Sequence, residues 1–265
     1  MSVQATEGED GGLVCAHCGS ALPEAAAECE VCGGGEEPAL SAPEETPAEP
    51  VEITPESRRL HYFEIALVLS VGFLWSTIYS LMDWWGNAEP SPFTEFDAVR
   101  RILEATLAIS LLAYVLYWQG RSLRTIGLTF RKSDLLWAVA IWFFDRLMTL
   151  TIYQGIHGFA SPKAIPVGYD GPLRWLAVIP GAAQEELIVR AFLMTEVAEL
   201  SGSWALAVLA SVGFQTLYHL YQGTPSALMA AGTFFVSAAF YANTRRITPV
   251  ILAHSLHNFY YLAHL

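Results

Sequence analysis

Two adjacent carboxylates and an arginine, Glu185, Glu186 and Arg190, stand in the stretch Gly181-Ala-Ala-Gln-Glu-Glu-Leu-Ile-Val-Arg190, whose flanks are apolar enough for the hydrocarbon region of a membrane. Ionised side chains at that depth cost several kcal/mol each, so a chain that keeps three of them there uses them. Two further polar pairs, Gln215/His219 and His254/Asn258, fall in later apolar stretches, each spaced i, i+4 and so predicted on one helix face. Glu186 and Arg190 share that spacing and can pair, while Glu185 points about 100° away and is expected to be the freer carboxylate. A carboxylate in apolar surroundings is a fit base for water. His219 and His254 could hold that water, share its proton or coordinate a metal, and the Asn258 amide could donate to a developing oxyanion. These residue types fit attack of an activated water on a carbonyl.

In this order on hydrophobic stretches, Glu185-Glu186-x-x-x-Arg190, a histidine motif ending at His219, and His254-x-x-x-Asn258 resemble the CPBP family of CAAX prenyl endopeptidases and bacteriocin-processing membrane proteins. The segment from Tyr218 to Gly223 is also similar to that family, and the resemblance covers roughly residues 60–265. It implies that Glu185 is the catalytic base, that Glu186 and Arg190 orient the site, and that His219, His254 and Asn258 complete it. One departure is visible. The family's second motif reads Phe-x-x-x-His, whereas Gln215 stands at the phenylalanine position here and Phe214 one before it, making the pocket near His219 more polar. A Glu/His/His set has the ligand chemistry of a catalytic zinc site, but there is no HExxH helix. The expected chemistry is glutamate-activated water, with a catalytic metal left open.

The elements that must position these residues are helices in a bilayer. With 265 residues, 53% of them hydrophobic, and positive mean hydropathy, the chain reads as an all-α, polytopic transmembrane bundle with a small polar appendage. Apolar stretches at 62–82, 101–118, 134–154, 173–197, 204–221, 226–243 and 248–263 predict about seven spans, with no internal repeat. The net charge of −12 comes from the tail: residues 1–57 hold 13 acidic side chains and no Lys or Arg, leaving the remainder at +1. This balance argues against nucleic-acid binding and does not suit an anionic membrane surface, whereas the apolar stretches put the protease-like region, 59–265, in a lipid bilayer.

All four cysteines fall in the first 33 residues, as Cys15-Ala-His-Cys18-Gly and Cys29-Glu-Val-Cys32-Gly. Paired CxxC knuckles, each followed by glycine, match a zinc ribbon over 1–33 with structural zinc on Cys15, Cys18, Cys29 and Cys32; disulfides or free thiols are the alternatives. Residues 34–58 read as a disordered, acidic, proline-rich linker, and the polar first twelve residues do not read as a secretory signal.

Eight basic residues (Arg58, Arg59, Arg121, Arg124, Arg131, Lys132, Arg245, Arg246) fall on one side of the predicted spans and four (Arg100, Arg101, Lys163, Arg174) on the other. That bias places the N-terminus and the ribbon in the cytoplasm of, by its style, a bacterial cell membrane. The loop at 155–172 is expected to cover the site. His61 reads as interfacial, His157, His257 and His264 as packing residues, and Gln184 and Gln222 as structural hydrogen-bonders. Asp145 and Arg146, adjacent in the third stretch, read as partners for other helices, with substrate binding as the alternative role. At about 1.5 Å per residue, His219 late in one span and His254 early in another differ in depth by about 10 Å, a gap the fold must close.

The expected function is an intramembrane endopeptidase acting on a membrane-associated peptide or protein, by CAAX-type processing or peptide maturation. The competing classes are a non-catalytic scaffold or immunity-type protein of the same fold and a small proton-coupled transporter, the last disfavoured by the lack of paired broken helices.

Overall fold

Proline, glycine and capping residues punctuate this chain into helices at nearly the places where its hydropathy rises. The structure is a computed structural model that describes residues 5–7, 13–15, 55–87, 92–156, 168 and 170–264. The chain divides into two compact units, Met1–Ile53 and Thr54–Leu265.

In the first unit, β1 (Ala5–Glu7) and β2 (Leu13–Cys15) pair antiparallel, with Ala5 opposite Cys15 and Glu7 opposite Leu13. Cys15 closes β2, while Cys18, Cys29 and Cys32 lie outside the described residues, as does the linker up to residue 54. Residues 55–58 form the first turn of a helix.

The second unit is a helical bundle. α1 runs Pro55–Trp85, α2 Glu95–Trp118 and α3 Ser133–Ile156. A capping box fixes the start of α2: the Thr94 hydroxyl accepts from the Asp97 amide at 3.2 Å, and the Asp97 carboxylate accepts from the Thr94 amide at 2.9 Å. The fourth apolar stretch is one interrupted rod. It comprises α4 (Pro172–Leu176), α5 (Val178–Glu185), a π-helical turn over Glu186–Phe192, and α6 (Leu193–Ser201), which stops at Gly202 in the left-handed region. Ser203 then caps α7 (Trp204–Leu217), a 3-10 turn covers Leu220–Gln222, and Pro225 and Pro249 sit in the first turns of α8 (Thr224–Thr244) and α9 (Thr248–His264).

Contacts between helix ends define two faces of the bundle. At one, Glu196 accepts from Arg121 at 2.6 Å and bonds His61 at 2.7 Å, and Arg246 bonds Asp134. Gly127 there packs so closely on the Arg245 carbonyl, at φ +92°, that no β-carbon fits. At the other, the Ser80 hydroxyl donates to the Leu217 carbonyl and accepts from the Tyr221 amide, both at 2.9 Å, and Trp84 donates to Thr224 at 3.0 Å. α3 lies against α8 and α9, α7 against α6 and α8, and α5 against α2 and α9.

The core of Leu112, Leu116, Ile188, Phe192, Met194 and Tyr241 is fully buried, and the outer surface is apolar as well, with Trp75, Met82, Leu103, Leu136 and Leu209 at least half exposed. An apolar exterior around buried charges is the distribution a lipid solvent selects. Each expected span is helical. Among the described residues three helices, Glu56–Trp85, Ser133–Ile156 and Thr224–Thr244, are long and apolar enough to cross a membrane, and Trp204–Leu217 is apolar but short. The second and fourth stretches carry Arg101 and Glu104, and Glu185, Glu186 and Arg190, which lower their hydropathy.

Candidate active site

The π-helical turn begins at Glu186 and contains Arg190, where the sequence pattern alone predicted continuous α-helix. Its i→i+5 bonding, seen in the Leu193 amide reaching the Ile188 carbonyl, widens the turn at the point where two charged side chains, Glu186 and Arg190, leave it. Gln184 steadies the rod by donating to the Gly72 carbonyl at 2.9 Å, as expected of a structural hydrogen-bonder.

The two glutamates face different partners. Glu186 bonds His254 Nδ1 through Oε1 at 2.7 Å and pairs with Arg190 Nε at 3.6 Å through Oε2. Arg190 is completely buried; its Nη1 donates to Ser211 at 2.7 Å, and its guanidinium lies 5.5 Å from the centre of the Phe234 ring. Glu185, expected to be the freer carboxylate, is held by more neighbours. Its Oε2 accepts from Gln215 at 3.1 Å and from the Tyr218 hydroxyl at 3.2 Å, and its Oε1 lies 3.8 Å from Arg101. Arg101 packs over Gly181: a β-carbon at 181 would lie 3.2 Å from its Nη1 and 3.3 Å from its Cδ, so the side chain would have to shift by a few tenths of an ångström. Gln215, the residue that departs from the family pattern, is therefore a direct partner of Glu185.

His219 does not share a helix face with Gln215, because α7 ends at Leu217 and the histidine sits on the following turn. Its Nδ1 lies 2.9 Å from the Gln215 carbonyl. A carbonyl only accepts, so Nδ1 carries the proton and Nε2 offers its lone pair. A carboxylate likewise fixes His254 Nδ1 as a donor to Glu186. Both histidines line one cavity, so the depth gap expected between them is closed.

That cavity, about 520 Å³, is walled by α3, α8 and α9 and lined by Glu186, His219, His254 and Asn258, with Asp145 on its α3 side. A second cavity of about 620 Å³, against α1 and α2, is lined by Glu185 and Tyr218. His219, Arg101, Arg174 and Phe93 border both, so the two are lobes meeting at the catalytic candidates. Buried polar atoms without a hydrogen bond concentrate here: Asp145 Oδ1, Glu186 Oε2, Arg190 Nε and Nη2, and Gln215 Oε1. Among the described residues no three His, Cys, Asp or Glu side chains converge as metal ligands.

All six candidate residues thus border or brace one two-lobed site. Sequence reasoning assigned no site role to Tyr218, Arg101 or Ser211. Tyr218 lay inside a segment already noted, whereas Arg101 carried no local signal beyond its charge. His257, read as a packing residue, lines the first cavity and bonds Arg146 at 3.1 Å. His61, read as interfacial, joins the Glu196 cluster at the other end of the bundle. The expected cover at 155–172 falls mostly outside the described residues.

Residues 171–260, the segment that contains all six candidates, match the family described as Type II CAAX prenyl endopeptidase Rce1-like. No curated protein and no solved structure matches the chain.

Proposed function

We propose that this chain, whose site-bearing segment belongs to the Rce1-like family of membrane proteases, hydrolyses a peptide bond of a membrane-associated substrate with water activated by Glu185. The reading rests above all on the Glu185 carboxylate, which lines the second cavity, is held by two neutral donors and one arginine, and shares that cavity with His219, a residue that also lines the first.

A water bound between Glu185 and the Nε2 atoms of the histidines loses a proton to the Glu185 carboxylate as its oxygen attacks the substrate carbonyl carbon. The carbonyl oxygen takes up the negative charge, and the Asn258 amide, one turn beyond His254, donates to it. Collapse breaks the C–N bond while Glu185 returns its proton to the departing nitrogen, leaving a carboxylic acid and an amine. Glu186 acts at one remove, holding His254 by its Nδ1 proton, and Arg190 balances the charge of Glu186 within the bundle. The substrate class is a peptide or protein segment at the membrane, with CAAX-type processing and peptide maturation as its two forms.

Glu185→Gln keeps the size of the side chain but cannot accept the proton. The purified variant in lipid is expected to fold and to bind peptide while cleaving about 10²–10⁴-fold more slowly than wild type. Cleavage at near wild-type rate would remove Glu185 from the role of base.

A further inference from the structure

Five carboxylates of the bundle are buried: Asp134, Asp145, Glu185, Glu186 and Glu196. Asp134 pairs with Arg246, Glu185 with Arg101, Glu186 with Arg190 and His254, and Glu196 with Arg121 and His61. Asp145, only 2% exposed, has no cation within ion-pair distance among the described residues, and its Oδ1 has no hydrogen bond. The nearby cations are committed elsewhere. Arg146 turns to α9, where it bonds His257 and donates to Tyr261 at 3.2 Å, and Arg190 and His254 serve Glu186. Asp145 nevertheless lines the first cavity, on the same wall as Thr149 and Thr233, whose hydroxyls bond one another at 3.2 Å, and Ser237.

A buried carboxylate without a counter-charge is costly, and the cost is removed when a cation arrives. We propose that Asp145 is a specificity determinant: the first cavity receives a lysine or arginine side chain of the substrate peptide beside the scissile bond, and Asp145 is its counter-ion. The proposal rests on the peptidase reading of this site. It accounts for a charged residue on a helix otherwise apolar enough to cross the membrane, and for a cavity that is mostly apolar yet carries one unpaired acid. A long basic side chain suits such a cavity, laying its methylenes along Met229, Ala230 and Phe234 and carrying its charge to the acid.

The test uses the full-length Glu185→Gln protein in lipid nanodiscs and a peptide series in which one position at a time, across the scissile region, is lysine, arginine, norleucine or glutamate. At one position lysine and arginine are expected to bind about 10- to 100-fold more tightly than norleucine, the range of a hydrogen bond to a charged group. Adding Asp145→Asn should abolish that preference while leaving norleucine affinity and thermal stability near their starting values. Equal affinity for lysine and norleucine at every position would overturn the proposal, as would an Asp145→Asn loss that is the same for both. Cleavage of the best peptide by wild type is scored separately. A preserved lysine preference without cleavage would sink the peptidase reading and keep the subsite; cleavage without the preference would do the reverse.

Discussion

At the scale of single residues, Tyr218 and Gln215 donate to the same oxygen of Glu185, so they fix which carboxylate lone pair is left for water. Tyr218 also stacks on Phe73, ring centres 4.9 Å apart, a contact that phenylalanine would keep. Tyr218→Phe therefore removes one hydrogen bond to the proposed base and little else. It is expected to lower kcat about tenfold, with KM and thermal stability nearly unchanged. A variant that loses stability but keeps its kcat would show that Tyr218 serves packing alone. Arg190 occupies the opposite case: fully buried and shared between Glu186 and Ser211, it ties the fold to the site, so its removal damages both and separates nothing.

Among elements, α3 and α8 form the wall that carries Asp145 and Phe234, and their approach depends on Gly232. A β-carbon there would collide with the Ile152 side chain and lie 2.7 Å from Met148 Cγ, so these side chains would have to shift or the helices part. Gly232→Ala is expected to destabilise the bundle by about 1–3 kcal/mol, read as a lowered unfolding midpoint in mild detergent, with partial recovery when Met148→Ala is added. An unchanged midpoint would mean that α3 and α8 already sit further apart. The π-helical turn is the other decisive element, since it widens the rod where Glu186 and Arg190 leave it.

At the scale of the whole molecule, the bundle sorts its charges by face. Arg121, Arg246 and Glu196 meet at one end, while Arg101, Arg174 and His219 border the cavities toward the other, beside Phe93. If the N-terminus is cytoplasmic, as expected from the basic residues of the sequence, the cavity end of the bundle would face away from the cytoplasm. In intact cells a cysteine at Phe96, on the cavity end, should then react with a membrane-impermeant maleimide, and one at Thr125 should react only after lysis; the reverse pattern would invert the topology. The apolar stretches and the motif residues were legible in the sequence, because hydropathy and i, i+4 spacing are local properties that each helix carries alone. The π-helical turn, the end of α7 before His219, and the partners of each carboxylate were not. Arg101 and Glu185 are 84 positions apart, and their pairing brings α2 against α5, where Arg101 packs over Gly181. That Asp145 has no counter-ion among the described residues is likewise a statement about every helix around it. Sequence by itself determined which residues could do the chemistry; tertiary structure decided which of them is braced, which is paired and which is left open to a substrate, because those are set by the packing of distant segments.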